Sequence, residues 1–204
     1  MASSQRVIVY VDGENFLHRV EDALKADRII EKKDQITRFG LRGLLSTIVP
    51  EATALEIRYY GTRIRINDTE DRVVQERAKI MVESQRRLKR CLDDQDVQFV
   101  TAGSLRVREI ICGNCRKRSL VFKEKGVDVR CAVDITEEAT DGVWQVVVSS
   151  DSDLLPALTA ARNKQSHLIY VHYAEAPNFA MIKAAHETRV FTKSQIRAAY
   201  EETQ

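Results

Sequence analysis

Four aspartates carry the strongest chemical signal in this chain of 204 residues. Asp12 closes the apolar run "VIVYV". Asp151 closes "VVVSS", and Asp153 follows two residues later in "SSDSDLL". Asp128 stands in "KGVDV", between a basic stretch and a segment with helical periodicity. Carboxylates this close repel one another, and burial worsens the repulsion unless positive charge lies among them. A bound cation would supply that charge. A helix amino terminus is the alternative, since Asp is a favoured N-cap and each acid taken singly reads as a cap. Oxygen-only ligands suit a hard cation such as Mg²⁺ or Mn²⁺, which keeps several waters and binds together with phosphate.

The acids can meet only if the chain brings strand ends to one edge. "RVIVYV", "ALEIRYYG", "VQFVTA", "VWQVVVSS" and "SHLIYVHY" read as strands, separated by segments of helical period. This alternation predicts an α/β fold: a doubly wound, mostly parallel sheet of five to six strands. Phe16, Leu17, Val20 and Leu24 mark the first helix, from Glu14. A second helix is predicted over "ITRFGLRGLLSTIV", and a long third over "TEDRVVQERAKIMVESQRRLKRCLDD". A fourth runs from Val129 to Ala139 with Asp128 as its N-cap, and a fifth covers "DLLPALTAARNK". A helical tail of two short helices fills 178–204. In open parallel sheets ligands bind beyond the carboxyl ends of the strands, which is where Asp12 and Asp151 fall. Asp134, six residues past Asp128 and so about 240° round the helix, reaches the site from another angle or lies on the surface.

The stretch "SLRVREIICGNCRKRSLVFKEKG" alternates with period two around Gly113-Asn114. It predicts a projecting β-hairpin inserted over 102–125 that bears Arg106, Arg108, Arg116, Lys117, Arg118 and Lys123. From Arg58 to Arg130 there are 18 Lys/Arg against 11 Asp/Glu, a local charge of +7 inside a chain of net charge +2. A polyanion can dock on such a segment, although "RRLKR" alone also reads as the solvated face of a helix. "CGNC" (Cys112, Cys115) has half the spacing of a zinc knuckle and no second pair, so zinc is disfavoured and reduced thiols are expected. Cys131 reads as a small core residue.

Apolar residues make up 44% and charged residues 30% of the chain, as in a folded globular protein. No apolar run is long enough to span a bilayer. The opening "MASSQRVIVYVDGEN" is not a signal peptide, because its apolar run breaks at Asp12. A single domain over 1–204 and a cytoplasmic location are therefore expected.

Taken together, "VIVYVDGENF", "KEKGVDVRCAVDI" and "VVVSSDSDLLPAL" resemble the NYN-domain family of the PIN-like nuclease superfamily, in particular its LabA-like branch. The resemblance implies a ribonuclease with an acidic Mg²⁺ or Mn²⁺ site that hydrolyses phosphodiester bonds of single-stranded RNA. Carried over residue by residue, Asp12 matches the first metal-site acid, and Asn15 a polar residue that steadies it or contacts substrate. Lys125 and Asp128 match a basic-acidic pair, Asp134 the acid that follows, and Asp151 and Asp153 the acids of an S-x-D-x-D-like signature. Leu154 departs from the aromatic residue found there in many relatives. A non-catalytic RNA-binding or regulatory module is the alternative. An aspartyl-nucleophile phosphatase fits less well, because Glu14-Asn15 brings no small hydroxyl residue. A dinucleotide-binding enzyme would need a Gly-rich turn after a strand, and none occurs. RNA against DNA, endo- against exonucleolytic cleavage, and a homodimer or a protein regulator as further partners all stay open.

Overall fold

The computed structural model of the chain describes residues 5–52, 54–64, 72–116 and 118–203, with the side chains of Asp34, Val73, Arg108, Glu109, Arg118 and Leu120 excepted. Seven strands form one sheet: β1 (Arg6–Asp12), β2 (Leu55–Arg63), β3 (Gln98–Ile111), β4 (Arg118–Lys125), β5 (Val143–Val148), β6 (His167–Tyr173) and β7 (Glu187–Phe191). Their order is β4-β3-β2-β1-β5-β6-β7. Every neighbouring pair is parallel except β3 with β4.

Burial explains why the central strands were plain in the sequence. Val7, Val9 and Val11 of β1 face one core, and Ile8 and Tyr10 face the other. A strand covered on both faces reads as an unbroken apolar run. The first core is closed by α1 (Gly13–Ala26), α2 (Leu41–Ile48), α3 (Arg72–Asp93) and α7 (Lys193–Glu201) through Phe16, Leu44, Leu88 and Ile196. The second is closed by α4 (Val127–Glu137), α5 (Leu155–Asn163) and α6 (Phe179–Ala184) through Cys131, Leu158 and Met181.

Four features differ from the sequence-based expectation. The sheet has seven strands rather than five or six, because the hairpin and the tail both join it. β3 is continuous from the sheet into the hairpin, past a register shift at Thr62/Arg63 and Gly103 at φ +64°, so the insertion is an extension of the sheet edge. α2 starts at Leu41 because tertiary partners take the backbone groups before it. The Gln95 Nε2 amide donates to Phe39 O (2.8 Å), and Gly40 N donates to Ala199 O (2.9 Å). Asp128 is not an N-cap. α4 begins at Val127 behind Gly126, whose φ of +89° turns the chain out of β4 at little cost for a residue without Cβ. The expected first turns of the third helix, Thr69–Asp71, lie outside the described residues.

Candidate active site

The chain leaves β1 toward β2 and leaves β5 toward β6, on opposite sides, so the sheet order reverses between β1 and β5. Val11 pairs with Val148, which puts Asp12 beside Ser149 at that reversal, where open α/β sheets bind ligands. The sequence keeps glycine directly after Asp12 because a Cβ at Gly13 would lie 2.4 Å from Tyr60 O. Tyr59 Oη donates to Gly13 O at 2.9 Å and holds the turn.

One hydrogen-bond chain ties the two strand-end acids together. Asp151 N donates to Ser149 Oγ (3.0 Å), and Ser149 Oγ donates to Asp12 Oδ2 (2.9 Å). Asp12 Oδ1 caps α1 by accepting from Asn15 N (3.3 Å), and Asp151 Oδ1 accepts from Asp153 N (2.9 Å). Capping and site-building are thus compatible, since each carboxylate oxygen keeps a lone pair for another donor or a cation. Asn15 Oδ1 accepts from Ser150 N (3.1 Å) and Ser150 Oγ (3.0 Å), while Arg19 Nη2 donates to Ser150 Oγ (3.2 Å). Asn178 Nδ2 clamps Ser150 O at 3.0 Å. The turn after β5 is therefore fixed from three sides.

Of these, Asp12, Asn15, Arg19, Asp151 and Asp153 line a cleft of about 680 Å³ together with Asp128, Lys125, Arg106 and Lys123. Arg106 and Lys123 face each other across the β3–β4 ladder. Of the other expected basic contacts, Arg116 is exposed at the hairpin tip, away from the cleft lining. Lys117 and the side chains of Arg108 and Arg118 lie outside the described residues. Asp134 is not brought to the cleft. It is 5% exposed, accepts from Tyr60 Oη (2.8 Å) at Oδ2, and pairs with Arg130 Nε (2.8 Å) at Oδ1. Both of its oxygens are thus committed inside the second core.

The cleft holds two acids that the motifs did not single out, Glu14 and Glu124. Burial is the main cause that raises Glu124 to a pKa of about 7, reinforced by the charges of Glu14 and Asp12. Asp12 is also raised, by burial first and by Asp151, against the hydrogen bonds from Ser149 and Asn15. Both shifts mark negative charge that is incompletely neutralised, although Lys33 pairs with Glu14 at the rim. Period-two alternation was the available signal for Glu124. It stands in phase with half-buried Phe122, whereas Lys123 and Lys125 are exposed. A carboxyl with proton affinity near neutral pH can take up or release a proton during a reaction at the cleft wall.

A doubly wound sheet with an acidic cleft at its switch point defines an α/β ligand-binding or catalytic domain. The NYN domain model matches residues 6–192, and the chain belongs to that family, within the PIN-like nuclease superfamily. A similar solved structure is a protein of unknown function, VPA0982, from Vibrio parahaemolyticus. It is 15% identical, with 94% of this chain and 96% of that chain covered at a TM-score of 0.57, a likeness of fold alone. A phosphofructokinase-2 mutant from Escherichia coli aligns at 12% identity over 71% of this chain and 45% of its own, with a TM-score of 0.40. No curated protein matches the sequence.

Proposed function

We propose that the protein is a divalent-metal-dependent ribonuclease of the LabA-like branch, acting on single-stranded RNA. The observation that carries this reading is the Asp12–Ser149–Asp151 linkage at the sheet switch point, in a cleft flanked by Arg106, Lys123 and Lys125. The donor set is all oxygen, and the raised proton affinity of Asp12 leaves charge for a hard cation to neutralise. Among the described residues no three Asp, Glu, His or Cys side chains are drawn into a closed metal cage. That openness suits Mg²⁺ or Mn²⁺, which binds through one or two carboxylates with water and substrate phosphate completing its shell. Asp12 and Asp151 would hold the ion, and Asp128 and Asp153, which line the same cleft, would hold its waters. When bound, such an ion supplies an acidified water and neutralises charge on the phosphate.

The chain's own residues do the rest. Asn15 and Arg19 fix the Ser149-Ser150 turn, so that Asp151 keeps its place relative to Asp12. Lys125, Arg106 and Lys123 attract and orient the phosphodiester backbone. Glu124 lines the same cleft with its pKa raised to about 7, chiefly by burial, and so changes protonation near neutral pH.

The test is cleavage of single-stranded RNA in Mn²⁺ or Mg²⁺ by wild type, Asp12→Asn and Asp151→Asn. Each variant should lose roughly 100-fold or more in rate, the scale on which misplaced or missing charge-stabilising groups act. Calorimetric titration of Mn²⁺ runs alongside, and unchanged binding by Asp12→Asn would remove the metal assignment. Metal and RNA binding without cleavage would favour the non-catalytic module instead.

A further inference from the structure

The hairpin tip carries chemistry that the cleft does not use. β3 ends at Ile111 and β4 begins at Arg118, and the turn between them presents Cys112 and Cys115, both exposed free thiols. Their setting is that of half a metal knuckle. Backbone N–H groups of Cys115 and Asn114 are directed at the Cys112 sulfur, hydrogen bonds that favour a thiolate. Arg116 N donates to Cys112 O at 2.9 Å, and Arg116 takes φ +51°, which curls the chain back after the second thiol. A structural tetrahedral site for a thiophilic ion such as Zn²⁺ needs four ligands. Among the described residues no further His, Cys, Asp or Glu gathers with this pair into a group of three or more. Among the described residues the site is therefore open by two ligands, and it stands at the far end of a projecting ribbon.

We infer that two copies of this chain join tip to tip through one Zn²⁺ held by Cys112 and Cys115 of each. A two-fold axis through the ion makes the contact self-complementary, as closed homodimers require. Three apolar side chains stand exposed on the ribbon beside the tip: Ile110 is 50%, Ile111 57% and Val121 39% exposed. Val121 pairs with Arg108, so Ile110 and Val121 share one face of the ribbon. A second copy would cover residues that otherwise stand in water. This patch is small, so the metal contributes most of the association free energy and dimerisation follows metal supply. The inference does not depend on the nuclease reading, because it uses neither the cleft nor its acids. One consequence for nucleic acid follows: joined tips place Arg116 of both copies at the centre of the assembly, with a cleft at either end.

Titrating Co²⁺ into reduced, metal-free protein tests this directly. The expected result is saturation at one ion per two chains, with the strong thiolate charge-transfer and tetrahedral ligand-field bands of a four-sulfur site. Light scattering after gel filtration should show twice the 23.3 kDa chain mass with Zn²⁺. In EDTA the chain should run as the monomer, since the metal supplies most of the association free energy. Cys112→Ser with Cys115→Ser should abolish both the bands and the dimer while the thermal melt of the monomer is unchanged. Absence of binding, one ion per monomer, or a dimer indifferent to EDTA would each overturn the inference.

Discussion

Glu124→Gln in metal-free protein should stabilise the fold at pH 8 and do almost nothing at pH 4.5. In the folded chain the Glu124 carboxyl is held at a pKa of about 7, against an ordinary 4.5, chiefly by burial. Below pH 4.5 both folded and unfolded chains carry the proton, and the site has no cost. Between 4.5 and 7 the unfolded chain releases its proton while the folded chain keeps it, so stability falls with each pH unit. Above 7 both are ionised and the cost is constant. At about 1.4 kcal/mol per pH unit, the full interval gives a ceiling near ~3.4 kcal/mol. Glu124 is only half-buried, and solvent screening reduces that to about 1.5 kcal/mol. Gln has the same shape and no charge to desolvate, so the variant should melt roughly 3–6 °C above wild type at pH 8. Circular-dichroism melts in EDTA across pH 4.5–8 measure the difference. A shift of equal size at both ends, or a variant less stable at pH 8, would refute the assignment of Glu124 as a charge held in the cleft against its preference.

Three other outcomes follow from the same geometry. Asn15→Ala removes both acceptor contacts to Ser150, and should cost about 1–2 kcal/mol in denaturant titration; RNA cleavage should fall roughly 10- to 100-fold, because the Asp151 turn shifts. Asp134→Ala leaves Tyr60 Oη and Arg130 without their partner, and should lower stability by about 2–3 kcal/mol. Calorimetry should find its Mn²⁺ affinity unchanged, which separates this buried acid from the cleft acids. Replacing Arg106 and Lys123 together by Ala should reduce the slope of log affinity for single-stranded RNA against log salt by ~1.4, as for two lost phosphate contacts, measured by fluorescence anisotropy.

What could be read from the chain, and what could not, divides along one physical line. β1 and β5 were legible because burial on both faces forces continuous apolar runs, and the acids that end them needed only the rule of the switch point. β7 was not: it is a five-residue edge strand whose alternate residues Thr188 and Val190 face solvent, so nothing in "ETRVF" separates it from the helices on either side. The start of α2 was hidden for another reason, since Gln95 and Ala199, far along the chain, take the backbone groups that a longer helix would have used.

The acids show the same division more sharply. Asp134 and Glu124 each lie within six residues of Asp128; the family resemblance pointed to Asp134, whereas the structure lines the cleft with Glu124. Asp134 follows the helix inward to Tyr60. Glu124 instead sits on β4, where it pairs with Leu105, and β4 folds back against an extended β3. That return brings its carboxyl near Glu14 and Asp12, and only the antiparallel register places it there. Acid clusters built across strand ends can be anticipated from topology rules. A carboxylate delivered by a hairpin has to be found by its face, and here that face is marked by Phe122, the half-buried aromatic two residues before it.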